Sequence, residues 1–288
     1  MNTELTDLKP LVDNSNYNCF AITKNEKSRA IQTPKPSLDA IHTRVADLLY
    51  RIAPPEHLHS GVKNRSYISN AKEHLGADNV ITMDISSFFS STLRSHVFDF
   101  FSNIMLCSVD VADILSHVLT FEGHIPTGSR VSMPLAYYAN RKMFIEMLET
   151  AHAHDLKMTI YVDDLTFSGI KLHNSFVQKI EQIAKKYNHT IHPKKTRIYK
   201  KHSIKIITGV AIKDFTASPT NKNQKSLRLD LELWLSDSKN RNDVLYNRIA
   251  GRMSSLAQVN SDFKAMARKF RATKSSTGYI KYYTSVQS

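Results

Sequence analysis

Residues 158–169, MTIYVDDLTFSG, decide how this chain is read. Apolar and polar residues alternate on both sides of Asp163-Asp164, which predicts a strand, a tight reversal carrying the two aspartates, and a returning strand over 165–168. Apolar residues on both arms bury the hairpin against a core, so two adjacent carboxylates stand at its tip. Asp tolerates turn conformations, and an Asp-Asp tip taken alone is more often a solvated turn than a metal site. A further carboxylate arriving from elsewhere shifts that balance, because like charges at close range are relieved by a cation.

Asp84 is the candidate. Residues 80–85 form another alternating strand, and Asp84 stands near its end, ahead of Ser86, Ser87, Phe88 and Phe89. An unpaired Asp on a buried strand is costly, so a cation or a basic neighbour has to compensate it.

With 41% apolar residues in 288, the chain is globular, with two or three subdomains rather than two independent domains. Thirty-nine Lys and Arg against 26 Asp and Glu give +13, which favours a polyanionic partner, with single-stranded or duplex nucleic acid the natural candidate and a merely solvated basic face the alternative. Cys19 and Cys107 lack the paired spacing of a zinc site and fit a reducing compartment. No apolar run approaches the ~18 residues of a membrane span, and the N-terminus is no signal peptide. The expectation is a cytoplasmic protein without a membrane partner.

Other elements follow from local pattern. Residues 1–16 are polar and at most lightly helical, and strands at 17–22 and 28–33 flank a charged turn. Ser37 caps a helix to about 52 whose apolar face is Leu38, Ile41, Val45, Leu48 and Leu49. A helical pattern runs from about 93 to 120, and Pro134 starts a helix continuing to about 154. Asn174 caps a helix to about 187, a basic turn occupies 192–197, and a strand pair at 204–212 is broken at Gly209. Three amphipathic helices close the chain, at about 222–236, 243–257 and 261–273.

In this order the elements resemble the reverse transcriptases over nearly the whole chain. The carriers are ITMDISSFF at 81–89, GSRVSMPL at 128–135, YVDD at 161–164, HPKKT at 192–196 and ITG at 207–209. NAKEH at 70–74 matches the NAxxH motif typical of the retron branch, and ITG resembles that branch's VTG. The resemblance implies an α+β right-hand polymerase architecture with fingers, an antiparallel palm sheet with helices, and a small helical thumb. It divides the chain into fingers at 1–78, palm at 79–214 with inserted fingers helices at about 93–125, and thumb at 215–288.

It also implies chemistry. Asp84, Asp163 and Asp164 would be catalytic and, with Ile85 beside them, would form the site of two Mg²⁺ ions, with Mn²⁺ a possible substitute. Lys24 and Arg29 would clamp the triphosphate, Thr127 and Gly128 would contact the nucleotide, and Lys195 would serve the leaving pyrophosphate. Phe89 resembles the aromatic gate that excludes a ribose 2′-hydroxyl. Arg228, Arg248, Arg252, Lys264 and Arg268 in the thumb would grip RNA by shape and phosphate.

The implied partners are deoxynucleoside triphosphates, a cognate structured noncoding RNA, the branched RNA-linked DNA copied from it, and an accessory effector or toxin in antiphage defence. The family's loop usually has Gln at the position of Thr127, and Val162 is bulkier than the branch's commoner Ala. The alternatives are a reverse transcriptase of another lineage, group II intron-like or defence-associated, and an RNA-binding protein that keeps an inactive polymerase fold.

Overall fold

Strand register brings Asp84 opposite Asp164, and the hairpin turn sets Asp163 beside them. In the computed structural model, which describes residues 5–24, 27–236, 241–275 and 278–279, the chain falls into two compact units. The first holds residues up to 66 and 79–198, and the second holds 67–78 and those from 199 onward. The boundaries expected at 78 and 214 therefore differ from those of the compact units: 67–78 and 199–214 group with the C-terminal helices. Gly76 donates its N–H to the Asp214 carbonyl, Thr208 its hydroxyl to the Tyr67 carbonyl, and Lys201 pairs with Asp78, which ties 67–78 to 199–214, while the Tyr67 hydroxyl lies 2.8 Å from that of Ser255 on the C-terminal helices.

Along the chain, α1 (Leu5–Leu8) precedes an antiparallel ribbon of β1 (Tyr17–Lys24) and β2 (Lys27–Pro34). Next come α2 (Pro36–Leu49), α3 (Tyr67–Lys72) and β3 (Asn79–Asp84). The start of α2 is one correction to the sequence reading: Lys35 is its N-cap and Pro36 its first residue, not Ser37. Its buried stripe is Leu38, His42, Ala46 and Leu49, while Leu48 is exposed. The stripe turns because His42 finds partners inside, the Val118 carbonyl at 2.8 Å and the Ser129 hydroxyl at 2.6 Å.

After the short α4 (Phe88–Ser91), the helical pattern over 93–120 resolves into α5 (Arg94–Asp99), a π-helical turn at Phe100–Ile104 and, after a break, α6 (Val109–Val118). Leu106, at φ +56°, turns the chain in that break. The next expected helix is likewise two, α7 (Ser132–Ala139) and α8 (Arg141–His152), parted at Asn140. There the Asn140 side chain takes the Ala136 carbonyl as a partner.

The hairpin β4 (Lys157–Tyr161) and β5 (Asp164–Gly169) leads through α9 (Asn174–Lys186), with His173 and not Asn174 at its N-cap, to β6 (Arg197–Tyr199). These strands with β3 form one sheet in the order β4-β5-β3-β6. Register sets Asp84 opposite Asp164 and aligns Thr82, Thr166 and Thr159 across one face. The other face presents Met83, Leu165 and Ile160, then Ile81, Phe167 and Met158, to Phe144 and Met147 of α8 and Phe176 and Ile180 of α9. Residues 57–59 cover the outer edge of β4, with backbone bonds to Ile160.

In the second unit, β7 (Lys205–Ile207) and β8 (Val210–Lys213) are joined by β9 (Thr216–Pro219), which the sequence reading missed. Helices α10 (Asn221–Ser236), α11 (Asp243–Val259) and α12 (Asp262–Arg271) share a core of Leu227, Trp234, Ile249, Met253, Leu256 and Phe270. No helix among the described residues is long and apolar enough to cross a membrane.

Candidate active site

The hairpin tip is a two-residue loop, since Tyr161 faces Asp164 across β4 and β5. Its first residue, Val162, stands at φ +61°, a conformation that costs a β-branched residue on the order of 1–3 kcal/mol and that packing has to hold. Beyond the loop, Ile85 donates its N–H to the Asp163 carbonyl at 2.9 Å, and the Asp84 carbonyl accepts the His192 N–H at 2.7 Å. Backbone bonds therefore seat Asp84 between the hairpin tip and the segment that follows α9.

The result is a cluster in which carboxylate oxygens of Asp84, Asp163 and Asp164 all lie within 4.8 Å of one another. Asp84 is buried and the other two are half-buried. Burial, then the charges of Asp163 and Asp84, push Asp164 up to about 7. Asp163 is raised for the same two reasons, burial and then Asp84, while Lys195 and Arg29 pull it back. Lys195 Nζ donates to both Asp84 oxygens, at 2.8 and 2.7 Å.

This donor set fits a hard divalent cation. All three groups offer oxygen, and a cation would relieve the repulsion that helps hold Asp163 and Asp164 above the usual carboxylate range. Ile85 has a fully buried aliphatic side chain, so only its backbone carbonyl matches that chemistry.

Without a cation, the folded chain holds the Asp164 proton to higher pH than the unfolded chain. The contribution of Asp164 to stability is therefore fully present below about pH 4 and is lost as pH rises to about 7. Asp164→Asn is expected to raise the metal-free melting temperature at pH 8 by several degrees, on the order of 2 kcal/mol, with the gain shrinking by pH 5. An equal gain at both pH values would contradict the assignment.

The remaining expected residues fall in three groups. Arg29 on β2 acts electrostatically on Asp163, whereas the side chain of Lys24 lies outside the described residues. Phe89 is partly buried, on the first turn after the Asp84 strand. Thr127 donates its N–H and its hydroxyl to Gln32 Oε1 at 3.1 and 3.0 Å, and its hydroxyl also lies 2.9 Å from the Ala30 carbonyl. Gly128 donates to the Gln32 carbonyl at 3.0 Å, and a Cβ there would stand 2.7 Å from that oxygen. Thr127 and Gly128 thus bind their loop to β2. Gln32 was not singled out from the sequence, since nothing local marks a strand Gln as a tether.

Of the basic residues on the C-terminal helices, Arg248 and Arg252 both pair with the buried Asp230, each at 2.9 Å, and Arg228 pairs with Glu232. Lys264 and Arg268 are exposed on α12 with no ion pair among the described residues.

The sequence pattern of the family described as reverse transcriptase (RNA-dependent DNA polymerase) matches residues 22–212. The Retron Se72 reverse transcriptase of Salmonella heidelberg is 28% identical over 82% of this chain and 66% of its own length. The Retron Ec48 reverse transcriptase of Escherichia coli is 26% identical over 75% and 56%. The chain spans about half to two thirds of the length of the curated relatives it matches.

Two solved structures share the fold. The foamy viral protease-reverse transcriptase in complex with double-stranded DNA has a TM-score of 0.54 at 14% identity, over 93% of this chain and 41% of that one. Apo telomerase from Candida tropicalis has a TM-score of 0.57 at 11% identity, over 88% and 58%. The mixed helix and antiparallel sheet is that of the right-hand polymerases.

Proposed function

Because this chain belongs to the reverse transcriptase (RNA-dependent DNA polymerase) family and is similar to its retron members, we propose that it is the RNA-directed DNA polymerase of a retron. The observation that carries the proposal is the register of β3 with β5, which sets Asp84 beside the hairpin aspartates with Lys195 against it. Asp84, Asp163 and Asp164 would hold two Mg²⁺ ions, for which Mn²⁺ could substitute. Such a pair would supply Lewis-acid activation of the attacking hydroxyl and charge stabilisation for the leaving pyrophosphate.

The chain's own residues do the positioning. Strand register holds the carboxylates convergent, Lys195 adds positive charge where the pyrophosphate collects negative charge, and Arg29 places a second cation near Asp163 for the triphosphate. Phe89, Thr127, Gly128 and Lys24 complete the proposed nucleotide site.

The proposal assigns fingers, palm and thumb to 1–78, 79–214 and 215–288. Arg228, Arg248, Arg252, Lys264 and Arg268 would bind a structured noncoding RNA, with Lys264 and Arg268 the residues whose charge is unspent. The product would be branched RNA-linked DNA made in the bacterial cytoplasm, and an accessory effector would act with it in antiphage defence.

The test is Mg²⁺-dependent incorporation of deoxynucleotides on an RNA template, with sequencing of nucleic acid that co-purifies with the chain. Incorporation is expected from the parent and not from Asp163→Ala or Asp164→Ala. Equal incorporation by these variants would remove the catalytic assignment, and co-purified RNA without a branched DNA product would remove the retron one.

A further inference from the structure

Four buried or part-buried side chains outside the carboxylate cluster form a continuous hydrogen-bond chain in the first unit. Asn140 Nδ2 donates to Thr92 Oγ1 at 2.8 Å and to the Ala136 carbonyl at 2.9 Å, and Thr92 Oγ1 donates to the Phe88 carbonyl at 2.8 Å. His189 Nε2 lies 2.7 Å from Asn140 Oδ1, and His189 Nδ1 lies 2.8 Å from the Ser91 hydroxyl. With the Asn140 nitrogen committed as a donor, its oxygen must accept. His189 therefore carries its proton on Nε2 and accepts from Ser91 at Nδ1. Burial, reinforced by the His96 ring, lowers His189 to about 4, which leaves it neutral with a single tautomer.

The chain joins three segments around Asp84. Ser91 and Thr92 close the turn of α4, which leaves the Asp84 strand through Ser87 at φ +51°. Asn140 is the break between α7 and α8. His189 is followed by Thr190, whose carbonyl accepts from Ser86 at 2.8 Å, and then by His192, whose N–H holds the Asp84 carbonyl. The same segment ends at Lys195, on the Asp84 carboxylate. Burying this many polar groups is tolerable only when all are satisfied, and satisfied networks fix one geometry where apolar packing leaves several.

We infer that His189, tied to Asn140 and Ser91, is a positioning residue that fixes the 189–195 segment in register with the end of β3 and so sets where Lys195 meets Asp84. Its effect on turnover rests on the nucleotidyl-transfer reading. Its effect on register does not.

The test uses the full chain with His189→Leu, which fills the volume and removes both bonds, and His189→Gln, whose amide nitrogen can keep the bond to Asn140. In His189→Leu, the Ser86 and His192 amides are expected to exchange with deuterium about tenfold faster, less so in His189→Gln, while Thr166 and Leu165 in β5 stay unchanged. Turnover should fall about tenfold in His189→Leu and partly recover in His189→Gln. In a Lys195→Ala background, His189→Leu should cost less than about twofold more.

Unchanged exchange at Ser86 and His192, or a full additional loss in the Lys195→Ala background, would overturn the inference. If the parent chain incorporates no nucleotide, the functional reading fails and the exchange comparison still decides the positioning role. If His189→Leu does not fold, His189→Gln and Ser91→Ala carry the same comparisons.

Discussion

Asp84→Asn is expected to lower nucleotide incorporation by about a thousandfold or more while leaving the chain folded. The substitution keeps the shape of the side chain and the backbone bonds that seat it, including the His192 N–H on the residue 84 carbonyl. It removes the charge. A neutral amide repels neither Asp163 nor Asp164, cannot balance a cation, and leaves Lys195 facing a group with a single acceptor oxygen. Circular dichroism should therefore show a melting temperature close to that of the parent, or somewhat above it without metal, as like charges are relieved. Primer extension within tenfold of the parent would show that the cluster is a structural feature rather than the catalytic one.

Phe167→Ala is expected to be the most destabilising single change near the site, by about 3–5 kcal/mol, or roughly 10 °C in melting temperature. Phe167 is fully buried, sits opposite Ile81 of β3 and Met158 of β4, and meets Phe176 edge to face at 5.0 Å. Truncation opens a cavity directly behind the strand that carries Asp164, where α9 leans on the sheet. Urea unfolding measures the loss, and a cost below about 1 kcal/mol would mean that the hairpin is held by its turn and not by the core beneath it. Activity should then fail at a lower temperature before it loses affinity for metal.

Why the site was readable and its supports were not follows from how far each signal reaches. Asp163 and Asp164 lie at the end of a two-residue reversal between alternating arms, and Asp84 closes another alternating strand. Both are short-range patterns, and a pleated sheet turns them into a shared face. Lys195 was legible through its motif, although its contact spans 111 residues of sequence.

Helix breaks were not legible. Residues 93–120 and 134–154 carry helical spacing throughout, yet they divide at Leu106 and at Asn140. At Asn140 the cause is a set of partners contributed by Thr92 and His189. Likewise, nothing local distinguishes Arg248 and Arg252, which face Asp230, from Lys264 and Arg268, which face solvent.

By itself the sequence determined the hairpin, the acidic residues at its tip, the strand that delivers the third carboxylate, the basic charge and the motif order, because turn chemistry and side-chain alternation act over a few residues. Tertiary structure alone decided which polar groups go inside: His42 on the inner stripe of α2, Gln32 against the 127–128 loop, and His189 between Ser91 and Asn140. A buried polar side chain is stable only where distant segments supply its partner, and that partner is set by packing rather than by neighbours in the chain.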